Sequence, residues 1–239
     1  MRELVILKVG DTLGAVAAQA GDFENWIASA VGHAGVAVRV LDARKQPLPA
    51  LEDVAGAVVT GSHAMVTDRA DWSERLAGWL RHAVDAQVPV LGICYGHQLL
   101  AHALGGSVGY HAKGMEIGTV PVTLAPEATT DPLLAGVPAS FQAHVIHSQT
   151  VTALPRGALR LAFNEHEPTQ AFRFGAHAWG VQFHPEFDAS VMKAYVQALQ
   201  PSRRAVSPSC SPITVAEAPV PPHILLNFGA YVAGRTGAR

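Results

Sequence analysis

The sequence predicts an α/β fold: an open, mostly parallel sheet with helices on both faces, continued by a strand-rich mixed second half. Three observations carry this. Up to Leu104, short apolar runs alternate with segments whose apolar residues recur at helical spacing, the signature of parallel strands joined by crossover helices. After Gly105-Gly106 the pattern changes to a series of strand-like runs with little helix between them. The 239 residues are 49% hydrophobic and 15% charged, enough to bury one large core.

The elements follow in order. Leu4 to Val9 is a compact apolar run and reads as a buried strand. Gly10 to Gly21 reads as loop. Asp22 is placed to cap a helix through Trp26 and Ile27 to about Val31. Val36–Leu41 and Ala55–Thr60 are the next strands, the latter ending at Gly61-Ser-His63. Asp71 and Glu74, three residues apart, resemble a capping box opening a helix whose stripe is Leu76, Trp79, Leu80 and Ala83. Pro89–Ile93 is a fourth strand and Tyr95–Leu104 its helix. In the second half Ile117–Leu124, Phe141–Ile146, Ala158–Phe163, Gln170–Phe174 and Ala178–Phe183 are strand-like. Pro201–Pro222 holds six prolines and reads as an irregular connector, and His223–Val232 as a last helix docked on the body. Gly229 inside that helix costs it about 1 kcal/mol of propensity.

Composition narrows the function. The net charge is −2 with mixed signs and no basic stripe, which argues against nucleic acid as the main partner. No apolar run approaches a membrane span, and the first residues read as a strand and not as a signal peptide. Two cysteines are no disulfide framework, so a cytoplasmic location with a reduced thiol is expected. Cys210 lies in the connector with no partner pattern. The 12 histidines show no metal-ligand spacing, and no Gly-Lys-Ser/Thr phosphate loop occurs, so neither metal nor cofactor is expected.

The chemistry centres on Gly92-Ile-Cys-Tyr-Gly96. A cysteine at a strand-to-helix bend, with glycine two residues either side, is a nucleophile elbow. The helix N-terminus favours a thiolate at Cys94, and the N–H of Tyr95 points where an oxyanion would form. His184 and Glu186 lie two apart in extended chain and so face the same side, where a carboxylate can orient an imidazole. Together the three suit a Cys-His-Glu relay for acyl transfer.

Gly92-Ile-Cys-Tyr-Gly-His-Gln98 and Phe183-His-Pro-Glu186, ninety residues apart, resemble the class I (triad-type) glutamine amidotransferase domain, in particular its stand-alone GMP synthase-like members. The resemblance covers about residues 1–200 and implies a flavodoxin-like catalytic domain there. The 201–222 connector and the 223–239 helix and tail follow it. It also implies that Cys94 attacks the side-chain amide of glutamine, that His184 serves as base then acid, and that Glu186 orients it. Val59-Thr-Gly-Ser-His63 resembles the family's oxyanion loop, placing a backbone donor at Gly61 or Ser62, where the family often has Gly-Gly-Pro. Gln98 matches a substrate-contacting position. His147-Ser-Gln-Thr-Val-Thr-Ala-Leu-Pro155 resembles a segment that holds the substrate's amino-acid end, with Ile146 in place of the usual serine and Gln149 in place of aspartate.

Three functions therefore compete. The first is glutaminase-type hydrolysis releasing glutamate and ammonia, with an ammonia-accepting synthase subunit in trans as a partner. The second is a γ-glutamyl peptidase or hydrolase acting on γ-glutamyl conjugates. The third is a catalytically silent domain that binds a metabolite or partner.

Overall fold

The computed structural model describes residues 2–206 and 213–236. Strand β1 (Glu3–Lys8) leads through α1 (Gly14–Ala20) and α2 (Phe23–Gly32) to β2 (Val38–Asp42). Then come β3 (Val54–Val59), α3 (Asp71–Asp85), β4 (Val90–Ile93) and α4 (Tyr95–Ala103). The second half runs β5 (Ser107–Tyr110), β6 (Glu116–Leu124), β7 (Ser140–His147), β8 (Gln149–Ala153), β9 (Leu159–Phe163), β10 (Ala171–Phe174) and β11 (Ala178–Val181). Helices α5 (Ala189–Val206) and α6 (Pro222–Thr236) close the chain.

Nine strands form one sheet in the order β2-β1-β3-β4-β11-β10-β9-β6-β7. From β2 to β11 neighbours are parallel; from β11 to β7 they are antiparallel. The sheet is thus mixed, with β11 as the hinge between the two patterns. β5 and β8 pair separately in an antiparallel ribbon.

Alternation along the parallel strands splits the core in two. Leu4, Ile6, Val58 and Leu91 pack toward Ile27 and Val31 of α2 and Phe228 and Val232 of α6. Val5, Leu7, Ala57 and Val90 face the other way, toward Leu76 and Leu80 of α3 and Leu99 and Leu100 of α4. Both faces of the parallel half are therefore covered. Gly229 has its reason here: a Cβ would sit 2.8 Å from the Val31 carbonyl oxygen, so its absence lets α6 lie close on α2. Among the described residues no helix is long and apolar enough to cross a membrane.

Several local expectations need correction. Asp22 does cap α2, in a capping box whose second member is Asn25, accepting from the Asp22 N–H at 2.9 Å. Asp71 is not a cap: Ala70 holds that position and Asp71 is the first helical residue, where its charge complements the dipole. Glu74 reaches instead to His102 Nε2 at 3.1 Å, tying α3 to α4. Residues 14–20, read as loop, form α1, because Val16 packs into a cluster with Phe187, Met192 and Tyr195. The irregular connector starts later than Pro201, since α5 runs on to Val206. One proline removes a single helical hydrogen bond, and the Ser-Arg-Arg-Ala that follows does not oppose helix. Cys210 lies outside the described residues.

Candidate active site

Strand order builds the site. β4 is flanked by β3 on one side and β11 on the other, all parallel, so the loops at their C-terminal ends emerge side by side. Ile93 pairs with Val181, and the Cys94 N–H donates to the Val181 carbonyl at 2.8 Å. Cys94, one residue past β4, and His184, three past β11, are neighbours for this reason. The Thr60-Gly61-Ser62 turn arrives from β3 on the other flank. Ligands of open α/β sheets bind at such strand ends.

Cys94 sits at φ 51°, ψ −100°, a backbone conformation that a non-glycine residue adopts only when its surroundings impose it. The glycines make this bend feasible. A Cβ on Gly92 would fall on the Gly96 carbonyl, and one on Gly96 would lie 2.5 Å from the Val59 carbonyl oxygen. The thiol is largely buried and donates to the Ile146 carbonyl at 3.6 Å.

The His184 ring is buried, with Nδ1 2.8 Å from Glu186 Oε1, whose side chain is also buried. Phe187 stacks on the ring at 4.2 Å. Among the described residues Nε2 faces no partner but the Cys94 sulfur, so this nitrogen and the thiol are placed to exchange a proton. Burial by itself pushes the imidazole down, but the Glu186 carboxylate and the charge and hydrogen bonding of the neighbouring Cys94 sulfur outweigh it and carry it up to about 10. The arrangement can therefore hold a proton on the ring beside the sulfur and pass it on.

The remaining sequence-predicted residues fall in different places. Gly61 is packed against the imidazole: a Cβ there would lie 3.0 Å from His184 Cε1. Ser62 and Tyr95 line the same cavity as Cys94. Tyr95 opens α4, where backbone N–H groups lack helical partners. Gln98 also lines the cavity, but both hydrogens of its amide are committed, to the Gln149 carbonyl at 2.8 Å and Gln182 Oε1 at 2.9 Å. Its carbonyl oxygen is the polar atom left for a ligand. His147 has both ring nitrogens engaged, Nδ1 with the Gln149 carbonyl and Nε2 with Glu116 Oε2, each at 2.9 Å. It offers a ligand ring surface and backbone.

Behind this wall sits a residue that the sequence reading missed. Glu116 is buried and accepts from Asn164, Gln170 and His147. Burial pushes its carboxyl up, yet His147 and Asn164 outweigh that and hold it below the usual range. A lone carboxylate opening an apolar strand was the available signal. It links through His147 and the Gln149 carbonyl to Gln98, so this wall is tied to α4, the helix that Cys94 precedes.

The cavity holds about 190 Å³. A larger hollow of about 350 Å³ lies at the opposite strand ends, between Arg2, Val54, Pro89 and Arg235, and has no nucleophile or base pair. Among the described residues no three His, Cys, Asp or Glu side chains are grouped to hold a metal ion.

His97, next to this machinery, has a different role. It is fully buried, and burial outweighs its contact with the Gly180 backbone and pushes its imidazole down to about 3. The folded chain thus keeps it neutral where the unfolded chain would protonate it. Its contribution is complete above the ordinary value of 6.5 and is lost as pH falls toward about 3. The slope in that interval is up to about 1.4 kcal/mol per pH unit. Urea midpoints measured from pH 7 to 4 should fall accordingly, and His97→Leu should flatten the fall; an unchanged acid slope in the variant would refute this.

The class the fold and the site define is a mixed open α/β sheet with a strained cysteine at one strand end and a buried His–Glu pair at the next. Residues 18–199 match the family model "Glutamine amidotransferase class-I", and the chain belongs to that family. A γ-glutamyl peptidase 5 of Arabidopsis thaliana is 30% identical over 156 residues, 64% of this chain and 62% of the relative. A glutamine-hydrolyzing GMP synthase of Porphyromonas gingivalis is 38% identical over 57% of this chain, but the match spans only 26% of that protein. The crystal structure of a glutamine amidotransferase from Methylobacillus flagellatus has the same fold, with a TM-score of 0.75 at 24% identity over 98% of this chain and 94% of that one.

Proposed function

We propose that this chain hydrolyses the γ-amide of glutamine through a thioester on Cys94. The thiolate attacks the amide carbon, and the C–N bond breaks as the His184 imidazolium protonates the leaving nitrogen, releasing ammonia. The neutral imidazole then takes a proton from water, whose oxygen attacks the thioester; glutamate leaves and the thiolate–imidazolium pair returns. Glu186 holds Nδ1 throughout. The N–H of Tyr95 and one from Gly61 or Ser62 steady the oxyanion, while Gln98 and the His147 segment hold the amino-acid end. The observation that carries this reading is the strained Cys94 elbow beside a buried His184–Glu186 pair whose Nε2 is left facing the Cys94 sulfur. The test is glutamate release from glutamine by the purified chain. No release, alone or with candidate acceptor subunits, would sink the reading.

A second reading keeps the mechanism and makes the substrate a γ-glutamyl conjugate. It is favoured by the similarity to the γ-glutamyl peptidase and by Gln149 standing where aspartate is usual. The similarity to GMP synthase supports an ammonia-accepting synthase subunit in trans as partner. A thiol that must stay reduced fits work in the cytoplasm.

A further inference from the structure

The floor and the mouth of the cavity differ in character. Cys94, Gln98, His147 and Gln149 are buried and form a polar floor. The mouth is largely apolar: its polar groups are His63, Ser62 and Ser148, and Leu13, Met65, Met115, Ile146 and Leu199 reach it from five separate segments. Four of these five are half-buried, and Met115 is 44% exposed. Among the described residues no Asp, Glu, Lys or Arg lines the cavity. Apolar side chains that converge on a concave site beside a reactive group, and are left wet without a ligand, fit a ligand's apolar part. The ammonia that leaves glutamine is too small to cover such a wall.

Resting on the thioester mechanism above, we propose that the preferred substrates are γ-glutamyl amides whose leaving amine carries a compact alkyl or similar apolar group, seated on this mouth. The step balances as before. The C–S bond forms and the bond to the substituted nitrogen breaks. The amine takes its proton from His184, and water releases glutamate. The two methionines give a wall that adapts to substituents of different shape.

The test is kcat/KM for glutamine and for the γ-glutamyl methyl-, propyl- and butylamides. Their alkylamine leaving groups are close in basicity, so the trend among the amides reports burial. Each methylene buried at the mouth is worth roughly fourfold, so butylamide should exceed methylamide by about tenfold or more. In a Met115→Gln, Leu199→Gln double variant that ratio should fall toward one. Being a ratio within one protein, it is insensitive to the fraction correctly folded. Glutamine turned over better than every alkylamide, or a flat series, would overturn the proposal while leaving the thioester mechanism intact, and would leave the mouth to a protein partner. A rise that survives in the double variant would also overturn it. No turnover of any compound would overturn both.

Discussion

Cys94→Ala is expected to lower γ-glutamyl hydrolysis by roughly 10³-fold or more, because the nucleophile's lone pair has no substitute in the cavity. Among the hydroxyl-bearing residues that line it, Ser62 already accepts from the Ala64 N–H at 3.1 Å and comes from the other flank of β4. Stability should change little. The substitution removes one sulfur from a position that is 6% exposed, and the φ of 51° is imposed by the flanking chain whatever side chain it carries. Progress curves of glutamate release, with a thermal melt as control for folding, measure both. A variant that melts like the parent and still turns over within tenfold would remove Cys94 from the mechanism.

Gly92→Ala is expected to produce the largest loss of stability. Its new methyl would fall on the Gly96 carbonyl and lie 2.8 Å from the His97 N–H nitrogen, and both are backbone atoms that cannot swing aside. The first turn of α4 must move away from β4, which opens the elbow. About 3 kcal/mol is expected from such overpacking, or a melting temperature lowered by roughly 6–12 °C for a chain of this size. Gly78 is the internal control. It lies within α3 with nothing within 4 Å of an added methyl, so Gly78→Ala should stabilise by up to about 1 kcal/mol. Equal melting temperatures for the two variants would contradict the account of the elbow.

The parts of the fold that local chemistry dictates were legible. The Asp22 cap, the apolar runs within β1, β3 and β4, and the elbow at Cys94 each follow from residues adjacent in the chain. What escaped depends on distant partners. α1 has one buried residue, Val16, and exists because α5 receives it. β5 is bordered by exposed Ser107 and Tyr110 and finds its partner β8 some forty residues later. The same division runs through the candidate site. Cys94, His184 and Glu186 announce themselves by spacing. Glu116 does not, since its place behind the cavity wall is set by Asn164 and Gln170, which arrive on later segments. Gln98 and His147 were legible as neighbours of the cavity, but not the commitment of their nitrogen atoms to Gln149, Gln182 and Glu116.

The central claim is an acyl group held on the Cys94 sulfur, and acid quenching during turnover of glutamine or a γ-glutamyl alkylamide, followed by intact and peptide mass analysis, tests it most directly. The account predicts a mass increase of one γ-glutamyl group, confined to the peptide bearing Cys94, discharged by hydroxylamine and absent from Cys94→Ala. Turnover with no adduct, accompanied by an active Cys94→Ala variant, would contradict it.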